Sequence, residues 1–144
     1  MDVSELRKRI LRALDEARHN AAARRSETDA ARAAWETLLE SSIVPVLRQA
    51  QGILKAENQA FTVHAPAGTA RLASDASAET FVEFFLDAAG DRPQVIGRVS
   101  RARGRQRVLV EERPVAPAKA VADHTDDDIA AFLVAELPRI VSRT

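Results

Sequence analysis

Arginines at positions 98, 101, 103, 105 and 107 crowd the stretch RVSRARGRQR, and the residues that follow, VLVEE, turn at once into a β-branched apolar run. Each guanidinium carries a permanent charge and a planar fork of N–H donors. The fork can hold two oxygens of one phosphate, and the charge releases counterions condensed on a polyanion. Arg103-Gly104 reads as a hairpin turn, because glycine takes positive φ without steric cost. The candidate polyanion-binding residues are therefore Arg98, Arg101, Arg103, Arg105 and Arg107, on a basic tip above an apolar stem. A second reading needs no ligand: arginines keep an exposed hairpin soluble and discourage edge-to-edge pairing, balanced by Glu111, Glu112, Glu83 or Asp87 on an adjacent strand. The second reading is preferred, and nucleic acid is the alternative partner.

The run DHTDDD, Asp123 to Asp128, places one imidazole and four carboxylates within six residues, a set suited to a hard divalent cation. Thr125 is, however, a good N-cap type, and aspartates in a first helical turn meet free backbone amides and the positive end of the helix dipole. Helix capping is the expected role, and no metal is expected. His19 and His64 stand alone, and no GxSxG, HExxH, GxxxxGKS or GxGxxG pattern accompanies them. The chain has no cysteine, which excludes disulfides, thiolate metal sites, iron–sulfur clusters and a cysteine nucleophile. No catalytic residue and no cofactor are assigned, and the protein is expected not to be an enzyme.

The segment TFVEFFLD, residues 80–87, puts Val82, Phe84 and Leu86 on one face of a strand and Phe81, Glu83, Phe85 and Asp87 on the other. A sheet with one wet face is apolar on one side only, so Phe81 and Phe85 call for a cover over the second side: a helix, the returning chain or a second subunit. Stacking of nucleobases on these rings is disfavoured, because Glu83 and Asp87 share the face and carboxylates repel phosphate.

Around these candidates the periodicity outlines the elements that must position them. Val3, Leu6, Ile10, Ala13 or Leu14, and Ala17 recur at helical spacing. Residues 18–34 keep good helix formers without large apolar side chains, which means either an exposed helix or a break near Ser26. A second stripe runs from Trp35 through Leu38, Leu39, Ser42, Ile43, Val46, Leu47, Ala50, Ile53 and Leu54, interrupted by Pro45, where a kink or a restart, with Ser41 or Ser42 available as a cap, is expected. Beyond Gln59 the pattern alternates between short turn signals, and five strands are expected near 60–65, 69–74, 80–87, 94–102 and 105–112 as an antiparallel meander. Thr125 opens a closing helix with Ile129, Phe132, Leu133 and Leu137 on its buried face, and Pro138 is expected to kink or end it.

The reading is one α+β domain over 1–144: an N-terminal helical pair (1–57), a five-stranded antiparallel sheet (58–113), then a loop and C-terminal helix (114–144). The order helix, meander, helix is broadly similar to that of small bacterial nucleoid-associated proteins, a likeness of topology on which no residue is carried over. The 21 basic and 21 acidic residues cancel, while residues 93–113 carry six arginines against two glutamates, the one basic patch. No apolar run approaches the roughly 20 residues that cross a bilayer, and the first twenty residues lack the apolar core of a secretory signal. A cytoplasmic protein without membrane contact is expected. The leading functional expectation is a non-enzymatic protein-interaction module that self-associates as a homodimer. Trp35, Leu38, Leu39, Phe81 and Phe85 are its candidate interface, with the N-terminal helices as the main contact.

Overall fold

The computed structural model describes residues 1–104 and 107–141. Helix α1 spans Val3–Leu38, α2 Val44–Ala56, and a π-helical turn, Leu39–Ile43, joins them without a break. The five strands, β1 Phe61–His64, β2 Ala70–Ser74, β3 Phe81–Asp87, β4 Gln94–Ala102 and β5 Val108–Pro114, form one antiparallel meander in chain order. A short 3₁₀ turn, Val121–Asp123, precedes α3, Asp126–Ile140. This is the α+β architecture that the periodicity implies, with helices before and after the sheet.

Three local details settle or refine the expectations. Ser26 makes no break: α1 is continuous, started by Asp2, whose carboxylate accepts from the Ser4 amide at 3.1 Å. Neither Ser41 nor Ser42 caps a new helix. Pro45 has no N–H to return to the preceding turn, and the wider π turn just before it absorbs the register slip that a cap would otherwise have to repair. The Ser41 hydroxyl donates back to the Thr37 carbonyl at 2.6 Å. Pro138 neither ends α3 nor is followed by an immediate stop, because the helix runs on to Ile140. The carbonyl that Pro138 leaves free belongs to Val134, which faces solvent and can bond water.

α2, α3 and the C-terminal end of α1 lie on one face of the sheet. Leu47 and Leu54 of α2 and Ile129, Phe132 and Leu133 of α3 form one core with Phe61, Leu72, Val82, Phe84, Val95 and Val99 from alternate strand positions. Trp35 at the base of α1 is buried there too, and its indole N–H donates to the Gly68 carbonyl in the β1–β2 turn at 2.9 Å. Gly68 has φ +81°, a conformation that a side chain would strain. At the border of the sheet, the Gln51 side chain of α2 accepts a hydrogen bond from the Val63 amide of β1 at 2.8 Å.

The second face carries no helix. Its residues align by register into a row across all five strands, His64, Arg71, Glu83, Arg98 and Glu112. Glu83 is buried and held by Arg71 at 2.9 Å and by Arg98 at 3.1 Å, and Arg98 also reaches Glu112 at 2.6 Å. The same two guanidinium groups lie over aromatic rings, Arg71 above Phe81 at 3.7 Å and Arg98 above Phe85 at 4.7 Å. The cover for Phe81 and Phe85 is thus supplied by arginines of the sheet itself, whose flat, weakly hydrated heads pack on π faces while pairing with carboxylates at their edges.

Candidate functional site

Two surfaces stand out, the N-terminal arm and the arginine hairpin. No residue before Ala31 is buried. From Val3 to Ala30 the helix projects for about 42 Å at 1.5 Å per residue. Its stripe is open to solvent: Val3 is 82% exposed, Leu6 47%, Ile10 49% and Leu14 45%. Helix formers and the ion pairs Glu5–Arg9 (3.4 Å) and Asp15–Arg18 (3.8 Å) support the rod locally. Such pairs contribute only a few tenths of a kcal/mol each, and an isolated helix without tertiary packing is marginal in water.

The residues singled out for an interface do not share one surface. Trp35 and Leu38 are buried in the chain's own core, Leu39 packs half-buried against it, and Phe81 and Phe85 are half-buried beneath arginines on the other face. The exposed stripe of the arm lies further toward the N-terminus. Its helical spacing was legible, but which of two consecutive stripes the sheet would claim depends on contacts remote in sequence.

The hairpin is built by β4 and β5, paired through Ala102 and Val108. The Arg103 amide donates to the Arg107 carbonyl at 2.6 Å, and Gly104 has φ +74°. Positive φ at Gly104 is what the Arg-Gly pair implied. The five arginines separate into different roles. Arg98 belongs to the ion-pair row on the open face. Arg101 points to the opposite face, half-buried, and Arg103 and Arg107 are exposed at the tip. Arg105 lies outside the described residues.

Arg139 of α3 joins this group. With Arg101, Arg103, Thr80, Ala102, Ile140 and Val141 it lines an open cleft of about 410 Å³. A neighbouring cleft is lined by Arg103, Gly104, Arg107, Val108 and Leu109. Arg139 bonds Glu111 at 3.3 Å and Glu136 at 3.1 Å, and Glu136 is buried and also held by Arg113 at 2.9 Å. Glu111 first and Glu136 second keep the Arg139 guanidinium protonated beyond its ordinary range.

The acidic cluster is used as a cap. Thr125 and Asp128 form a reciprocal capping box, the Asp128 amide donating to the Thr125 hydroxyl at 3.3 Å and the Thr125 amide to the Asp128 carboxylate at 2.9 Å. Lys119 donates to the same carboxylate at 2.7 Å. That bond, with those donated by the Thr125 amide and, at 3.1 Å, the Thr125 hydroxyl, holds the Asp128 carboxyl below the usual carboxylate range against the opposing effect of burial. His124 is buried beside the 3₁₀ turn, where its Nδ1 donates to the Ala120 carbonyl at 2.9 Å.

No protein-family model matches the chain, and no curated protein or solved structure is significantly similar to it. Among the described residues no helix is long and apolar enough to cross a membrane.

Proposed function

We propose that the protein is an interaction module, without a catalytic step of its own, that self-associates through its N-terminal arm. The observation that carries this reading is the stripe Val3, Leu6, Ile10 and Leu14, roughly half or more exposed on a helix that has no core beneath it. A long helix is stabilised in water chiefly by covering its apolar face. A two-fold pairing covers the same stripe twice with one sequence, and the apolar spacing of three and four residues is that of a coiled-coil seam. The small residues Ala13, Ala17 and Ala21 along the same side let two helices approach closely. In this reading the sheet and α3 form the body that the arm brings together in pairs, and any further protein partner docks on the paired bodies.

Sedimentation equilibrium across a micromolar concentration series tests the proposal. The intact chain is expected at the mass of two chains, and a chain lacking residues 1–28 at the mass of one. A mass of one chain at every concentration overturns it, as does a dimer that survives the truncation.

A further inference from the structure

The described strands carry four arginines: Arg71, Arg98, Arg101 and Arg113. Three of them hold carboxylates, Arg71 and Arg98 on Glu83 and Arg113 on Glu136. Arg101 is the exception. Its side chain is half-buried against the α3 side of the sheet, yet it makes no ion pair or hydrogen bond among the described residues. A guanidinium partly withdrawn from water with no counter-charge is unfavourable, and the rest of the sheet shows how consistently that situation is avoided here.

The surroundings of Arg101 add positive charge. Arg103, one step toward the tip, has an exposed side chain that is likewise unpaired among the described residues, and both line the 410 Å³ cleft with Arg139. Two acids of this border are already engaged. Glu111 is bonded by Arg139, and Glu136 by Arg113 and Arg139. Among the described residues, two positive charges, those of Arg101 and Arg103, are left over in one concave site. The carboxyl end of α3 contributes the opposite sign, so the guanidinium groups supply all of the attraction.

We propose that the cleft lined by Arg101, Arg103 and Arg139 binds a phosphate-class oxyanion. Tetrahedral oxygens suit guanidinium forks, each able to donate two parallel hydrogen bonds. Arg103 also lines the adjacent cleft with Arg107, so a second phosphate can follow the first across the hairpin tip. Arg98 has no part in the site, because it lies on the opposite face of the sheet. The geometry therefore assigns phosphate recognition to Arg101 and Arg103, in a cleft that Arg139 of the last helix completes while holding Glu111 and Glu136, an arrangement that the spacing of arginines along the chain does not reveal.

The source of the phosphate, a free oligophosphate or the phosphodiester backbone of a nucleic acid, is separated by titrating the full chain with pyrophosphate and with a short DNA duplex. The variants are Arg101→Gln/Arg103→Gln and, as a control that removes equal charge from the arm, Arg12→Gln/Arg18→Gln. Binding of either probe that falls about tenfold or more in the hairpin variant, while the arm variant matches wild type, supports the cleft. If the duplex is the ligand, the slope of log affinity against log salt also falls by about two in the hairpin variant. As a measurement that needs no variant, the Arg101 and Arg103 side-chain Nε–H resonances of the wild-type protein are expected to shift on adding pyrophosphate. Absence of binding by both probes at low salt overturns the proposal, and so do equal losses in the two variants or unmoved Arg101 and Arg103 resonances.

Discussion

The Phe132 ring of α3 lies directly over Gly97 of β4, so close that a Cβ at position 97 would collide with three of its ring carbons. The ring cannot easily retreat. Phe84 packs against it edge-on with centroids 5.3 Å apart, and the Arg113 guanidinium lies 4.1 Å from its centroid. Gly97→Ala is expected to destabilise the fold by about 1–3 kcal/mol through overpacking, read as a lowered urea midpoint. An unchanged midpoint would mean that α3 does not press on the sheet at this point.

Removing residues 1–28 deletes no buried side chain, so the body should keep its far-ultraviolet signature of sheet and short helices and lose no more than a small part of its unfolding free energy. A Leu6→Glu/Ile10→Glu variant tests the stripe without shortening the helix. It is expected to shift the sedimentation mass toward one chain while thermal unfolding of the body is unaltered.

Glu83 joins two arginines on the open face. Glu83→Ala leaves Arg71 and Arg98 without their shared partner and unseats them from Phe81 and Phe85. Both arginines are partly exposed, which softens the loss, and about 2 kcal/mol is expected. Substituting Arg71 after Glu83 is gone should cost much less than substituting it alone, a coupling that a double-mutant cycle measures.

The capping box makes a statement about pH. Because the Asp128 carboxyl titrates below its ordinary value in the folded chain, its contribution to stability is fully present above the unfolded carboxylate pKa of about 3.9 and is lost as pH falls through the lowered folded value. Urea midpoints followed down into acid should drop less steeply in Asp128→Asn than in wild type. Thr125→Ala removes the other half of the box and is expected to cost about 1 kcal/mol at neutral pH.

The features legible in the sequence were those with a local cause. The meander follows from alternation between closely spaced turns, the start of α3 from Thr125 and three aspartates, and the tip of the hairpin from Gly104. Pairing of Arg98 with Glu83 and Glu112 was readable as opposite charges on neighbouring strands once the alternation was known. What escaped depends on contacts far apart in the chain. Nothing near Arg101 announces Arg139, which arrives from 38 positions away on α3. Nor does any local signal tell Gly97, required by a ring 35 positions later, from a glycine that merely weakens a strand. Phe81 and Phe85 looked unmet because a stacked guanidinium, counted as a charge, was not counted as a cover.

The hydrogen bond from Val63 to Gln51 sets how far the sheet can grow. A strand adding to the β1 border would have to expel the Gln51 side chain, whereas the β5 border, with Val108 and Val110 exposed beside it, has no such plug among the described residues. Strand addition that can occur at both margins leads to fibres, because every added chain presents a fresh margin to the next. With one margin plugged, two chains that met along β5 would each present only a closed side outward, and growth would stop at two.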